Sequence, residues 1–344
     1  MENKALWVDG VGKESRLGPA AVPEPGEGQL LIQVKAVATQ PGEWKLLAGI
    51  IPLKLTYPTI IGTALSGVVE KVGTGVSRFA PGDRIAAIAT GVLRDDHRFG
   101  AYQRFSLVPQ ELTSKIGNTP FEDGAALSTA YTSMRALFHY LDLERPSGKS
   151  HSIKRKEKVL IWGLSSSIGA TSAQLAQEAG YTVVGVASAR HAELAKTLAV
   201  SHFVDRFSAT VVQDLEALGP FKAVYAAADS AEDQVKIGRI LAAQGGGRFL
   251  TTMGVRAGVQ LPEGVTGVFI QYLLDFLDPK YKEFTEWVWW DYFEAAFSDG
   301  RLKTLPLEVL GGLSKVPEAW NLLRDGKISA KRLIITPGRL NDAQ

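Results

Sequence analysis

The segment Lys158–Gly169, with the sequence KVLIWGLSSSIG, predicts the architecture of the second half of the chain. Val159 to Trp162 form a short continuous apolar run, which is typical of a parallel strand buried on both faces. Strong helix formers follow Gly169, and Gly180 closes them. A strand, a tight turn and a helix in this order direct backbone N–H groups and the positive end of the helix at one point. Such a point stabilises a dinucleotide pyrophosphate.

Serines occupy the middle of this turn. Gly163 and Gly169 match the turn and the helix-packing positions of the usual glycine pattern, whereas Ser166 and Ser167 stand between them. A serine brings a Cβ towards the phosphate and also a hydroxyl that can donate to it, so we expect an altered phosphate site. The predicted phosphate-binding residues are Gly163, Ser165, Ser166, Ser167, Ile168 and Gly169.

Strands and helices alternate from Val159 onward, with helices of about a dozen residues. This alternation predicts a doubly wound parallel sheet, an α/β Rossmann fold, with the serine-containing turn after its first strand. The residues before about Val108 contain short β-type runs separated by Gly, Pro and Asp, which predicts a small, partly open barrel. We predict a barrel domain of residues 1–150, completed by 303–344 with a loop, a helix and a terminal strand, and a nucleotide-binding domain of residues 151–302.

Two further segments each allow two interpretations. The polar, basic stretch Ser147–Lys158 is either an exposed loop between domains or a docking patch for an acidic protein partner. Asp275–Arg301 contains the aromatic run FTEWVWWDYF, and we predict an amphipathic helix there. Its aromatic side chains either pack in the core or cover a substrate cleft.

Composition excludes several classes of function. The 344 residues carry a net charge of +2, which gives no reason to expect nucleic acid or an anionic membrane as a partner. The chain has no cysteine, and its five histidines lack metal-ligand spacing, so we expect no metal. No apolar run approaches the roughly 20 residues that span a bilayer, and the N-terminus resembles no targeting sequence. We therefore expect a cytosolic protein.

The end of the second strand favours NADP(H) over NAD(H). An NAD site has an acidic residue there that accepts from the ribose 2′-hydroxyl. Here Ala187 is followed by Ser188, Arg190 and His191, which suit a 2′-phosphate instead. Arg206, after the third strand, adds a second positive charge. The predicted cofactor is NADPH.

Several motifs together resemble the zinc-independent medium-chain dehydrogenase/reductase superfamily, which includes quinone oxidoreductases and enoyl reductases. The resemblance covers nearly the whole chain, and the motifs are QPGEWK (40–45), IGTALSGVVEKVG (61–73), PGDR (81–84), GAY (100–102), TAYTS (129–133) and GKISAK (326–331). Within the superfamily, the chain looks most like fungal stand-alone enoyl reductases of polyketide biosynthesis, in which a serine-bearing turn is common.

The resemblance implies a GroES-like barrel joined to a Rossmann domain, NADPH as the hydride source and a substrate in the cleft between them. It implies no zinc, and an unsaturated acyl substrate that is either a small molecule or bound to a carrier protein of a polyketide synthase. Lys45 matches a polar position near the nicotinamide ribose, and Thr132 and Ser133 match hydroxyl positions that line the cleft. Two residues depart from the family: Ala64 replaces a frequent acid, and Arg206 replaces a frequent tyrosine.

Three functions stay open at this point. The first is an NADPH-dependent enoyl reductase, and the second is a quinone or carbonyl oxidoreductase on the same fold. The third is a non-redox enzyme that binds NADPH for structure while its cleft cyclises or rearranges a reactive intermediate.

Overall fold

In the computed structural model, which describes residues 2–146, 154–270 and 274–338, six parallel strands form a sheet that includes Lys158–Trp162. These strands are β8 (Lys158–Trp162), β9 (Thr182–Ala187), β10 (His202–Asp205), β11 (Phe221–Ala226), β12 (Gly247–Thr251) and β13 (Val265–Phe269). Their spatial order is β10-β9-β8-β11-β12-β13. The strand order therefore reverses between β8 and β11, as in a Rossmann fold, and the predicted fold of this region is confirmed.

Helices connect the strands of this sheet. They are α5 (Ser167–Glu178), α6 (Ala192–Thr197), α7 (Val211–Leu218) and α8 (Ala231–Ala243). A further helix, α4 (Tyr131–Arg135), precedes the first strand of the sheet. Fully buried side chains such as Leu160, Trp162 and Val184 form the core together with Ile237 of α8 and Phe249 of β12. The continuous apolar runs of the strands follow from burial on both faces of the sheet.

Two further sheets contain the other described strands, and their strand pairs are antiparallel except for one parallel pair. A two-stranded sheet contains β1 (Asn3–Val8) and β2 (Ser15–Ala20), and a larger sheet contains β3 (Gln29–Ala38), β4 (Ala64–Val72), β5 (Arg84–Ile88), β6 (Phe105–Pro109), β7 (Thr113–Lys115), β14 (Leu307–Gly311) and β15 (Arg332–Ile335). The larger sheet follows the order β14-β15-β3-β4-β5-β7, and β6 also pairs with β3. This arrangement is the predicted GroES-like barrel.

The helices of this part are α1 (Pro41–Leu47), α2 (Gly91–Arg94), α3 (Phe121–Ser128), α9 (Leu274–Leu277), α10 (Lys282–Glu286), α11 (Phe293–Asp299) and α12 (Val316–Arg324). Trp287–Tyr292 form a π-helical turn between α10 and α11. Trp289 and Phe293 are buried, and the hydroxyl of Ser114 in β7 donates to the Trp289 carbonyl. The aromatic run therefore packs in the core, which is the first of its two interpretations.

The structure divides the chain at other points than the predicted boundaries. Residues 1–129 and 274–344 form the first unit, and residues 130–273 form the second. The aromatic segment belongs to the first unit because the hydroxyl of Thr119 donates to the Phe297 carbonyl and the Lys115 N–H donates to Glu294. Residues 131–135 belong to the second unit because Ser133 bonds to Thr171 of α5.

The predicted strands do not include four that the structure has, which are β2, β7, β13 and β14. Val265–Phe269 forms β13, and Leu307–Gly311, which was predicted as loop, forms β14. Both lie at an edge of their sheet, where one neighbouring strand supplies the pairing. Of the basic stretch Ser147–Lys158, predicted as a loop or a docking patch, Ser147–Ile153 lies outside the described residues.

Candidate functional site

The serine-containing turn lies at the carboxyl end of β8, at the point where the strand order reverses. Gly163 adopts φ +83°, a left-handed conformation that side chains other than glycine rarely take. Its N–H donates to the Val186 carbonyl at 2.9 Å, so the turn is fixed to the end of β9. A Cβ on Gly163 would lie 2.7 Å from the Ala228 nitrogen, which places the turn directly against the residues that follow β11.

Gly169 allows α5 to approach the strand closely. A Cβ on this residue would lie 2.2 Å from the Gly163 carbonyl oxygen, far inside van der Waals contact. Only glycine therefore fits at the position where helix and turn pack together. This is the role that the sequence pattern assigns to its last glycine.

Ser166 is the N-cap residue of α5. Its hydroxyl accepts from the Gly169 N–H at 3.0 Å and donates to the Gly163 carbonyl at 2.8 Å. The hydroxyl is therefore used within the turn, whereas the sequence suggested that it donates to phosphate. A serine at this position therefore stabilises the turn through two side-chain hydrogen bonds that a glycine could not make.

The turn fits a pyrophosphate. The first N–H groups of a helix make no hydrogen bond to a preceding turn of that helix, and in α5 they include those of Ser167 and Ile168. These two residues and Ser165 are half-buried. α5 has 12 residues, and its positive end adds to the attraction for an anion. The predicted phosphate-binding residues therefore lie together on one turn.

The end of β9 gathers the predicted 2′-phosphate residues on one short turn. Ser188 precedes a 3₁₀ turn of Ala189–His191, in which Arg190 is exposed and its Nε lies 3.2 Å from Nε2 of His191. Burial and the neighbouring Arg190 charge lower the pKa of His191. Arg190 is therefore the cation of this turn at neutral pH, with His191 as a neutral polar neighbour.

Arg206 is engaged in an ion pair. Its Nε donates to Oδ1 of Asp233 at 2.9 Å, and its Nη2 donates to the other carboxylate oxygen. Asp233 is 3% exposed and also accepts from Ser230 at the start of α8. A phosphate at Arg206 would have to compete with this buried carboxylate, so Arg206 brings less positive charge to the site than its sequence position predicts.

Asp205 is a contributor that the sequence reasoning missed. Its Oδ1 accepts from the N–H of Ala189 at 3.0 Å and from the N–H of Phe207 at 3.2 Å. One carboxylate oxygen thus links the turn after β9 to the turn after β10. A sequence signal existed, because aspartate at the end of a strand frequently bonds to backbone N–H groups nearby.

In the first unit, Lys45 lies in the last turn of α1 and is half-buried, with its Nζ 5.9 Å from the centre of the Trp44 ring. The same helix carries Glu43, whose Oε2 accepts from the hydroxyl of Tyr102 at 2.6 Å and from the indole of Trp320 at 2.9 Å. Burial raises the pKa of Glu43 from 4.5 to about 7, against the opposing effect of those hydrogen bonds.

Arg332 completes this buried group. It is 5% exposed, and burial lowers its pKa to about 10, while the charge of Glu43 acts in the opposite direction. The sequence motif identified Glu43 only as part of a family pattern. Its buried environment depends on residues 59 and 277 positions away, which a local pattern does not reveal.

Thr132 and Ser133 lie on α4 in the second unit. Thr132 is 8% exposed, and Ser133 is fully buried. The Ser133 hydroxyl donates to the Ile168 carbonyl at 3.1 Å and lies 2.8 Å from the Thr171 hydroxyl. Ser133 therefore joins α4 to the first turns of α5, directly behind the predicted phosphate site.

Within residues 2–146, 154–270 and 274–338, the side chains of His, Asp and Glu form no group of three that would hold a metal ion. No helix of that same part of the chain has the length and apolar character that crossing a membrane requires.

Comparison with known proteins gives consistent matches. Residues 26–118 match the family model of the alcohol dehydrogenase GroES-like domain. The trans-enoyl reductase himH of Aspergillus japonicus is 30% identical over 98% of this chain and 98% of its own length. The trans-enoyl reductase tazE of Aspergillus terreus is 34% identical over 62% of this chain and 72% of its own length.

Among solved structures, the CurK enoyl reductase superimposes with a TM-score of 0.77 at 17% identity, covering 97% of this chain and 99% of that one. This likeness concerns the fold. The identity to himH along nearly the full length of both proteins decides the family. The chain belongs to the fungal trans-enoyl reductases of the medium-chain dehydrogenase/reductase superfamily.

Proposed function

We propose that the protein is a zinc-independent, NADPH-dependent enoyl reductase that delivers hydride to the β-carbon of an α,β-unsaturated acyl or carbonyl substrate. The observation that carries this proposal is the turn of Gly163, Ser166 and Gly169 at the reversal point of the sheet, in a chain 30% identical to a trans-enoyl reductase. When bound, the cofactor supplies the hydride; the protein binds, orients and stabilises charge.

The pyrophosphate would be held by the backbone N–H groups of the turn, with Ser165, Ser167 and Ile168 beside it. The 2′-phosphate would be held by Ser188 and Arg190, with His191 as a neutral neighbour. Arg190 is exposed, and no carboxylate follows Ala187 directly in the sequence. The Asp205 carboxylate, which reaches this turn from the end of β10, accepts from the backbone N–H groups of Ala189 and Phe207. These features support NADPH over NADH. Arg206 would take part only by exchanging Asp233 for phosphate.

Reduction of an enoyl group creates an enolate, which needs charge stabilisation and then a proton at the α-carbon. Lys45 is the candidate for polarising the carbonyl or relaying that proton, because an ammonium at a half-buried position interacts more strongly than one in water. Thr132 is a candidate hydroxyl donor. Ser133, whose hydroxyl is bound to Ile168 and Thr171, is better suited to positioning the start of α5.

The acyl group would reach the enzyme either free or on a carrier protein of a polyketide synthase. The names of himH and tazE, both trans-enoyl reductases, support a reductase that acts on the product of a separate synthase.

A product-resolved assay with NADPH and a panel of unsaturated thioesters tests the proposal. We expect saturated thioesters, with kcat/KM for NADPH at least tenfold above that for NADH. Arg190→Ala should reduce this preference about tenfold, as expected for loss of a charge-assisted hydrogen bond, whereas Arg239→Ala, an exposed arginine on α8, should not. Turnover of quinones alone, or conversion of substrate without NADPH, would refute the proposal.

Lys45 is tested in the same assay. Lys45→Ala should lower kcat on the thioester while the affinity for 2′,5′-ADP stays within twofold, and Lys45→Arg should recover part of kcat. Unchanged turnover in Lys45→Ala would remove Lys45 from the mechanism.

A further inference from the structure

Asp229 forms a second buried polar cluster in the second unit, outside the phosphate turn. Its side chain is 0% exposed and follows β11 by three residues. Oδ1 accepts from Nε of Arg256 at 3.1 Å and from Nη2 at 2.6 Å. Oδ2 accepts from the hydroxyl of Thr251 at 2.6 Å and from the amide of Gln234 at 3.0 Å. Both carboxylate oxygens are thus fully used.

These bonds fix the loop after β12 to the turn after β11. Thr251 is the last residue of β12, and Arg256 lies beyond the intervening loop. Gln234 of α8 adds two contacts, since its amide donates to the Gly254 carbonyl at 2.9 Å and accepts from the Arg256 N–H at 2.8 Å. The loop of residues 252–256 is therefore held by both backbone and side chain.

The cluster lies next to the phosphate turn. The Ala227 N–H donates to the Trp162 carbonyl at 2.9 Å, and the Ala228 nitrogen is the atom that a Cβ on Gly163 would meet. Asp229 is the next residue. The two loops that Asp229 connects thus lie at the carboxyl ends of β11 and β12. They are on the opposite side of β8 from Ser188 and Arg190.

A dinucleotide spans both sides of the reversal point in such a sheet. If its 2′-phosphorylated ribose lies at the end of β9 and its pyrophosphate at the start of α5, its other half extends over the ends of β11 and β12. We infer that the Asp229–Arg256 pair is a positioning device that fixes loop 252–256 as the floor of the nicotinamide half of the site. This inference rests on the proposed function.

Paired binding measurements at one pH and ionic strength test it, with NADPH as the full ligand and 2′,5′-ADP as its adenine half. Arg256→Ala should weaken the affinity for NADPH at least tenfold and change the affinity for 2′,5′-ADP less than twofold. Arg256→Lys keeps the charge and loses the two-pronged contact, so it should weaken NADPH less than Arg256→Ala does. Lys236→Ala removes the ion pair of a half-buried lysine with the exposed Glu232 on α8, and it should change the affinity for neither ligand.

A general loss of structure would weaken the affinities for both ligands by the same factor. Either that result or an unchanged affinity for NADPH would overturn the inference. Should Arg256→Ala not fold, Arg256→Lys decides by the same comparison. Failure of the proposed function is distinguishable, because it appears in the unsubstituted protein as NADPH binding without reduction of the thioester, whereas failure of the inference appears only in the comparison of the two ligands in the Arg256 variants.

Discussion

Replacement of the buried Glu43 carboxylate should change how stability depends on pH. Glu43 is 5% exposed, and burial raises its pKa from 4.5 to about 7. Within the described residues, its Oε1 has no hydrogen-bond partner, which agrees with a carboxyl group that gains a proton on burial. We expect Glu43→Gln to remove a loss of stability that the unsubstituted protein suffers as the pH rises.

The sign follows from proton binding. Between pH 4.5 and about 7, the folded protein holds a proton on Glu43 that the unfolded chain has lost, so raising the pH favours unfolding. The full effect is about 3 kcal/mol, at about 1.4 kcal/mol for each pH unit. It is complete above pH 7 and absent below 4.5. Arg332, with a pKa of about 10, keeps its charge across this range.

Thermal unfolding monitored by fluorescence at pH 5 and pH 8 provides the assay. At pH 5 the unfolded chain has already lost most of its Glu43 proton, so the change from pH 5 to pH 8 is about 2.5 kcal/mol, which corresponds to roughly 5–10 °C for a unit of this size. The Tm of Glu43→Gln minus the Tm of the unsubstituted protein should therefore rise by that amount from pH 5 to pH 8. Glu318→Gln, at an exposed glutamate on α12, should give a constant difference. A Glu43→Gln difference that stays constant to within 2 °C would refute the reasoning.

Further substitutions test the phosphate turn and its support. Gly169→Ala should destabilise the protein by about 3 kcal/mol or more and abolish NADPH binding, because the new methyl group would meet the Gly163 carbonyl. Gly338→Ala, at a position with open space around it, is the control. Equal Tm values for Gly169→Ala and Gly338→Ala would contradict the packing argument. Ser166→Ala should cost about 1 kcal/mol and weaken NADPH, as expected for a lost N-cap; an unchanged Tm would contradict the cap. Ser133→Ala should lower Tm by an amount equivalent to about 1–3 kcal/mol, because it removes the hydrogen bond to Thr171, and it should leave the reaction product unchanged. Loss of turnover at an unchanged Tm would instead indicate that the Ser133 hydroxyl is catalytic.

Much of the second unit was predictable because its signals are local. The apolar run before Gly163, the glycines of the turn and the alternation of strands and helices each depend on neighbouring residues. The same holds for the missing acid after Ala187. The serine pattern was less informative, since only the structure places the Ser166 hydroxyl between the Gly163 carbonyl and the Gly169 N–H.

The remaining features depend on contacts between distant residues. Arg206 was predicted as a phosphate ligand from its place after a strand, yet its partner Asp233 comes 27 positions later. The edge strands β13 and β14 depend on pairing that their own sequences do not specify. Arg256 and Glu43 were not identified as functional candidates for the same reason.

The most direct measurement uses NADPH carrying deuterium at both hydrogen positions of nicotinamide C4, with a 2-enoyl thioester as substrate and mass spectrometry of the product. The proposed function predicts one deuterium at the β-carbon of a saturated thioester. Deuterium at the carbonyl carbon, or a product that forms without deuterium and without NADPH, would contradict it.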